Sequence, residues 1–480
     1  MTSEPSRATV PKGLPGDDQI TGISVSGYKS LDSDAFIELK PLTLLAGANS
    51  SGKSSMMQPL LMMKQTLDAS FDPGALAISG PNVKFTSVGQ FVPRLSQGEL
   101  SRFSVGVTFA SDSRVMLKFT YRRNRGIKVD SLTCRMSDRE LVFQSGLSSA
   151  AVRELVPIDV AEEYESSLDA FTGRLKEENA FPEWSFGKEW TVKRERCFLV
   201  PAIKPIAFLN EQPAWTSATP RPYTPPIVEQ LKEKVRGIIH LPGLRGNPER
   251  AYPVTGIGPS FPGVFQDYAA SVISLWQSEK RWEKVKSVTE HLAALDLTWG
   301  VRARSTSDTQ VELKVTRSKL RADRNWVNVA DVGLGVSQTL PVIVALIAAA
   351  SGQIVFIEQP EIHLHPRAQF ALAKVFADAV KRGVRIIAET HSSTLLLGVQ
   401  TLVAQGALSA SDVKLHWFHR TEHGNTRISS ADLSSSGSFG DWPQDFADVA
   451  LRSESQYLDA AESKLLDESR AEDAKAEEES

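Results

Sequence analysis

The chain has 480 residues, a mass of 52.5 kDa, 41% hydrophobic content and a formal charge of −3 with a pI near 6.3. That is enough apolar material for a large core and two or three subdomains, and it excludes a global basic field for nucleic acid, so any such contact must be a local patch. Two cysteines, Cys134 and Cys197, lie far apart in no metal or redox spacing, which suits a reducing cytosol.

Residues 1–18 are polar and lack an apolar signal core, so residues 1–19 are expected to be a disordered arm. Residues 20–25 and 36–39 alternate like paired strands, and the apolar run at 42–46 reads as a buried strand. Gly47-Ala48-Asn49-Ser50-Ser51-Gly52-Lys53-Ser54 follows, and it fits the phosphate-binding pattern G-x-x-x-x-G-K-[ST]. The helix predicted to leave it begins at Ser54. Glycines let the backbone curl so that its N–H groups and the helix N-terminus surround phosphates. Lys53 would reach the β- and γ-phosphates, and Ser54 would ligate Mg2+. A nucleoside triphosphate is the ligand this segment predicts.

Residues 103–109 and 115–121 alternate at period two, as a hairpin or meander would. Between 148 and 297 the pattern turns helical, at 152–176, 227–235 and 264–297, broken by a proline-rich stretch at 213–226. Strand-like alternation returns at 311–315. Segments 332–350, 354–357, 366–383 and 384–388 then alternate helix and strand, typical of a parallel sheet covered by helices. Pro366 in the first turn and Gly383 just past the end bound a helix over 366–381. The longest apolar stretch, 340–350, is too short to span a bilayer, so a soluble cytoplasmic protein with no membrane partner is predicted. No internal repeat or sustained heptad run occurs, which argues against a long coiled-coil arm. The tail at 461–480 carries eight acidic and three basic residues. It reads as a solvated, fraying helix or as a segment competing with DNA for a basic groove.

Ile354-Val355-Phe356-Ile357-Glu358-Gln359-Pro360-Glu361 reads as a buried strand ending in acids. An acid at such a strand end holds the Mg2+ shell of phosphate-loop enzymes, and a neighbouring carboxylate can orient the attacking water. The strand at 384–388 ends in Glu389-Thr390-His391, which puts His391 in reach of a γ-phosphate or leaves it a satisfied structural histidine. Asp331-Val332-Gly333-Leu334-Gly335-Val336-Ser337-Gln338 opens a helix, and glycines before a helix N-terminus make an anion site.

With these motifs in this order, over roughly residues 20–125 and 300–430, the chain resembles an ABC-type ATPase head of the SMC/RecF/OLD kind. The resemblance implies an α/β P-loop ATPase head with a mixed sheet and an ATP-sandwich dimer. It implies ATP and Mg2+ as cofactors, with Gly47, Asn49, Ser50, Ser51, Gly52, Lys53, Ser54 and Ser55 on the phosphates and metal. Gly333, Gly335 and Ser337 would act in trans on the partner's nucleotide, and His391 would be the switch histidine. Gln90, in Val88-Gly89-Gln90-Phe91, matches the Q-loop glutamine and would join Ser54 and Glu358 at the metal. Tyr28-Lys29-Ser30 resembles the aromatic-Lys-Ser segment before the phosphate loop. Residues 331–341 and 439–443 resemble, more narrowly, the subgroup that includes ATPase subunits of bacterial anti-phage systems such as Septu.

Two departures stand out. Gly333 occupies the signature serine position, so the γ-phosphate hydroxyl is missing unless Ser337 substitutes. Gln359 stands where these enzymes place the catalytic glutamate, and an amide orients water but accepts no proton. Either Glu361 serves as base, or turnover is slow and ATP is mainly held; slow turnover is the favoured reading. His363 and His365 share one side of an extended strand but have no third ligand nearby, and Mg2+ prefers oxygen. The basic clusters at 121–125 and 193–196 are phosphate-contact candidates or solvated turns. Arg245 and Arg250, flanking Gly246-Asn247-Pro248 in a loop after an apolar strand, could face nucleotide or a partner.

The domain plan expected is an arm at 1–19, ATPase lobes at 20–146 and 300–430, a largely helical insertion at 147–299, and a C-terminal segment at 431–480. The leading functional reading is an ATP-dependent homo-oligomer that controls a separate nuclease subunit in antiviral defence, with DNA met through the complex. No Toprim or His-Asn-His nuclease pattern occurs in the chain. A DNA-clamping repair ATPase and a non-hydrolysing ATP-sensing scaffold remain open alternatives.

Overall fold

The computed structural model describes residues 18–32, 34–92, 101–122, 126–136, 139–177, 184–209, 212–214, 220–258, 260–319 and 325–440, with 459, 462 and 464. The expectations for residues 1–17, for 123–125 of the first basic cluster, for 441–443 and for nearly all of the acidic tail lie outside them.

Strand β1 (Ile20–Ser26) pairs antiparallel with β2 (Ala35–Glu38). Strand β3 (Leu42–Gly47) is buried along its whole length, and helix α1 (Lys53–Asp68) follows it. Strands β4 (Ser101–Phe109), β5 (Arg114–Arg122), β6 (Gly126–Arg135) and β7 (Glu140–Gln144) run as a meander away from β1, in the sheet order β2-β1-β4-β5-β6-β7. Helices α2 (Ser149–Glu154) and α3 (Ile158–Glu177) precede a long hairpin, β8 (Trp184–Glu195) and β9 (Phe198–Leu209). Short strands β10 (Gln212–Ala214) and β11 (Arg221–Pro222) pair with β9. Helix α4 (Pro226–Arg236) leads into β12 (Ile239–Leu241). A small sheet of β13 (Tyr252–Pro253), β14 (Val301–Ser307), β15 (Gln310–Thr316) and β16 (Trp326–Asn328) encloses α5 (Ala269–Ser278) and α6 (Trp282–Ala294) in the sequence. The remaining elements are α7 (Leu334–Ala348), β17 (Ile354–Glu358), α8 (Pro366–Lys381), β18 (Arg385–Thr390), α9 (Ser393–Ala404), β19 (Val413–Arg420) and β20 (Thr426–Asp432).

The central sheet has the order β12-β17-β18-β3-β19-β20, parallel except for its last strand. Its inner strands are apolar throughout because both faces are covered. Leu45, Phe356, Ile387 and Phe418 pack on one side with α1, α4 and the meander sheet. Leu44, Ala46, Ile357 and Ala388 pack on the other side with α7, α8 and α9. The protein is a mixed α/β fold.

The helical character expected between 147 and 299 holds for α2 to α6 but not for β8 and β9, whose twelve cross-strand pairs run from Trp184–Leu209 to Glu195–Phe198. Pro201 and Pro205 inside β9 remove ladder donors and conceal the strand in the sequence. Strand β12, also in that segment, joins the central sheet beside β17, with Ile239 opposite Val355.

Helix α1 is pinned along its length. Lys64, fully buried, forms an ion pair with Asp68 at 3.1 Å and donates to the Arg236 carbonyl at the end of α4 at 2.8 Å. Arg196, at the turn of the β8–β9 hairpin, donates to the carbonyls of Thr66 and Phe71, and Arg194 binds both oxygens of Asp72. Replacing Lys64 by alanine strands a mostly buried carboxylate, so Lys64→Ala is predicted to cost about 3 kcal/mol in denaturant unfolding. A cost below about 0.5 kcal/mol would show that this tie does not hold α1.

Candidate functional site

Strands β3, β18, β17 and β12 end at the same edge of the parallel sheet, where ligand crevices of such sheets form. At that edge the Gly47–Ser54 loop turns from β3 into α1. Gly47 has φ 142°, and a side chain there would come within 2.2 Å of the Phe418 carbonyl. Gly52 has φ 102°, and a Cβ would lie 2.4 Å from the Thr426 hydroxyl. Both positions therefore demand glycine. Thr426 supports the loop from beneath, donating to the Ser51 carbonyl and bonding the Ser30 hydroxyl, each at 2.7 Å.

Lys53 is 3% exposed, and its ammonium donates to the carbonyls of Gly47 at 2.9 Å and Ala48 at 2.7 Å. Burial pulls its pKa down, while the charges of Glu389 and Glu361 push it back up. A cavity of about 570 Å3 opens over the loop, lined by Lys29, Ser54, Gln58, Gln90, Glu389 and Arg420 among others. Lys29 donates to Gln58 and lies 4.8 Å from the Phe85 ring centroid.

The acids sit on neighbouring strands. Glu358 ends β17 and is the cross-strand partner of Glu389 on β18. His240, at the middle of β12, approaches Glu358 Oε1 with Nε2 at 3.1 Å, and the Gly243 amide donates to Glu358 Oε2 at 3.2 Å. Asn82 contacts the other ring nitrogen at 3.1 Å, and the imidazole stacks on Phe356. Ser54 donates to Glu389 Oε2 at 2.7 Å. Burial, with help from the charges of Glu358 and Glu361, pushes the Glu389 carboxyl up to about 7, against the pull of the Ser54 hydroxyl and Lys53.

After β17 the chain turns sharply. Gln359 has φ 46° and His363 φ 64°, conformations that cost non-glycine residues about 1–3 kcal/mol each. Pro360 adds to the strain by restricting the residue before it. The turn is held by the Gln359 amide donating to the Glu389 carbonyl, and by Arg245 donating to the carbonyls of Glu358 at 2.7 Å and Gln338 at 3.3 Å. Gln338 returns two bonds, to the carbonyls of Arg245 and Gly246. Burial lowers the Arg245 guanidinium to about 10. Glu361 accepts the His391 amide at 2.8 Å, leaves Oε2 without a partner, and has its carboxyl raised by burial. Burial, then the Lys53 charge, holds the His391 imidazole below its usual range, while a bond to the Gly47 backbone works the other way.

The structure thus gathers Gly47, Ser50, Ser51, Gly52, Lys53, Ser54, Glu358, Gln359, Glu361 and His391 at one sheet edge. Gln90 lines the cavity, but its side-chain oxygen accepts from the amides of Thr86 and Ser87. Gly333 caps α7 in open space, and Ser337 donates to the Leu334 carbonyl. Neither Gly333, Gly335 nor Ser337 lines the phosphate-loop cavity of this chain. His365 caps α8 by accepting the Arg367 amide, and among the described residues no group of three metal-ligating side chains occurs. Arg194 and Arg196, read as phosphate-contact candidates, are instead spent on Asp72 and the end of α1. Arg245 faces the β17 turn, and Arg250 binds both oxygens of Asp331. Cys134 and Cys197 are buried, with thiols pushed up to about 12, and neither is a nucleophile. Glu389 and His240 are residues at this edge to which motif reading gave no role, and Arg245, singled out in the sequence, is placed by the structure against the β17 turn. The available signal for Glu389 was two adjacent core strands both ending in glutamate.

Comparison with known proteins adds a partial match. A family model described as "AAA domain, putative AbiEii toxin, Type IV TA system" matches residues 232–397, which hold β12, α7, β17, α8 and β18. An Smc head bound to the C-winged helix domain of ScpA is 10% identical with a TM-score of 0.43, covering 87% of this chain and 99% of that one. A Pyrococcus furiosus Smc head with an extended coiled coil, bound to the C-terminal domain of ScpA, is 12% identical with a TM-score of 0.41, covering 86% and 96%. The SMC head domain from Thermotoga maritima is 9% identical with a TM-score of 0.35, covering 86% and 98%. Among curated proteins nothing matches.

The raised Glu389 carboxyl has a consequence for the metal-free protein. Its folded pKa lies above the ordinary 4.5, so its contribution to stability is full below that value and is lost as pH rises through about 7. In EDTA the melting temperature is predicted to fall between pH 5 and 8 (about the span of the two pKa values). Glu389→Gln flattens that fall; an unchanged profile would place the burden on another group.

Proposed function

We propose that the chain binds a nucleoside triphosphate with Mg2+ at the Gly47–Ser54 loop and hydrolyses it slowly. The observation that carries this is Lys53, a buried cation whose partners are the carbonyls of its own loop, at the mouth of a cavity large enough for a nucleotide. The donor set suits the ligand: loop N–H groups and Lys53 for phosphate oxygens, and Ser54 with carboxylates for a hard divalent cation. When bound, Mg2+ neutralises charge on the transferring phosphoryl group. Lys53 would leave the Gly47 and Ala48 carbonyls for phosphate oxygens. His391, held neutral beside Gly47, can donate or accept one hydrogen bond at the γ end. Gln359 can orient water through its amide, but no proton goes to it. Glu361 carries the free carboxylate oxygen Oε2, yet its other oxygen is committed to the His391 amide, which favours slow chemistry.

The N-terminus of α7 stays outside its own chain's cavity, and this supports head-to-head assembly in which Gly333, Gly335 and Ser337 meet the nucleotide of a second copy. Arg245 links that helix to the Glu358–Gln359 turn, so assembly would be felt at the acids. With no three-ligand metal cluster among the described residues, we assign any nuclease step to a separate effector subunit whose state follows the ATPase; antiviral defence is the context we favour. No membrane span is called for, since no described helix is long and apolar enough to cross one. A direct DNA clamp loses support at the 193–196 cluster, where Arg194 is paired with Asp72 on the surface and Arg196 is bonded to the carbonyls of Thr66 and Phe71.

Light scattering with phosphate release in the same sample tests the reading. ATP and Mg2+ are predicted to drive assembly while turnover stays below about one per second, the low end for enzymes. Faster turnover in the isolated chain contradicts the slow-hydrolysis reading. Lys53→Ala is predicted to abolish both assembly and binding. Gln359→Glu, which restores a proton acceptor, is predicted to raise turnover by roughly 10²-fold or more; no increase would show that position 359 is not where the water is activated.

A further inference from the structure

The motif assigns the Ser54 hydroxyl to a metal ion, yet here it donates to Glu389, a residue outside the motif, at 2.7 Å. Glu389 lies on β18, the strand that separates the loop strand β3 from the acidic strand β17. It is 7% exposed and is the direct cross-strand partner of Glu358. On neighbouring parallel strands such partners share a face, and like charges there repel. Glu361, also 7% exposed and near enough to act on Glu389, adds a third carboxylate and leaves Oε2 unpartnered. Lys53, whose charge acts on Glu389, is committed to two carbonyls. The edge therefore sets two carboxyl groups side by side on adjacent strands, one of them bonded to the Ser54 hydroxyl, with a third nearby. Mg2+ takes oxygen donors only, and commonly one or two carboxylates beside substrate phosphates.

We propose that Glu389 is a second carboxylate of the Mg2+ site, standing between Ser54 and Glu358 and acting with both to hold the cation. This rests on the nucleotide reading above. His240 and the Gly243 amide aim Glu358, while Ser54 aims Glu389, so the two carboxylates are set by different elements of the fold. A role as a mere loop strut needs no buried charge, since a glutamine would accept the same hydrogen bond from Ser54.

The test measures affinity of the full chain for a fluorescent ATP analogue in EDTA and in saturating Mg2+, together with Mn2+ binding to the nucleotide-free chain by electron paramagnetic resonance. The ratio of the two affinities is the metal–nucleotide coupling, which by linkage is the same seen from either ligand. In Glu389→Gln this coupling is predicted to drop by about tenfold or more, with metal-free nucleotide affinity unchanged or tighter. Mn2+ binding is predicted to weaken in parallel. Unchanged coupling overturns the assignment. So does loss of the metal-free affinity, which would mark Glu389 as a strut of the loop. If the wild-type chain binds no nucleotide in either buffer, the nucleotide reading fails. The metal assignment then survives only if Mn2+ still binds and Glu389→Gln abolishes it.

Discussion

A buried lysine must find oxygen, and the Gly47–Ser54 end of this molecule is organised around that requirement. Lys53 is almost completely enclosed, so an unpaired ammonium there would be prohibitively costly. The loop answers by curling its own Gly47 and Ala48 carbonyls toward Nζ, a shape that needs glycine at positions 47 and 52. Those bonds are local and replaceable. Phosphate oxygens offer the same cation a stronger, charge-assisted partner. On the proposed nucleotide reading the loop is preformed for an anion and occupies itself meanwhile, while α1 is kept in place by Lys64 and by the hairpin arginines at its far end.

The second constraint is the strained turn after β17. Gln359 sits in the left-handed region directly before a proline, and the turn is held by the Glu389 carbonyl, by Arg245, and by the bond from the His391 amide to Glu361 of the same turn. Arg245 matters most because its other bonds run to Gln338 near the start of α7. One buried guanidinium therefore fastens the acid-bearing turn to the helix whose glycine-rich start faces outward. A movement of α7 on assembly would reach the turn through Arg245 as well as through the direct packing of α7 on β17. This gives a physical route by which contact with a second copy could alter the acids without touching them.

How much of this was legible beforehand depended on length and context. The β3–loop–α1 unit was readable because glycines, Lys53 and an uninterrupted apolar strand are all local signals. Helix α8 was readable from Pro366 and Gly383. The β8–β9 hairpin was not, since prolines 201 and 205 break the strand pattern and its partner strand is polar at most positions. Strand β12 was readable as the apolar strand before Arg245, but at three residues nothing local showed that it joins the central sheet beside β17. The basic run at 193–196 looked like a binding surface because a sequence does not show that Asp72 lies opposite it. Glu389 was passed over for a similar reason. A single acid at a strand end says little until the register places it beside Glu358 and under Ser54.

The most direct test of the central claim is a crystal structure with Mg2+ and a non-hydrolysable ATP analogue. The account predicts triphosphate density within the Gly47–Ser54 loop, Lys53 Nζ moved from the Gly47 and Ala48 carbonyls to phosphate oxygens, and the Ser54 hydroxyl turned onto the metal. Nucleotide bound elsewhere, or a loop in which Lys53 keeps its carbonyl partners with the analogue present, would contradict it.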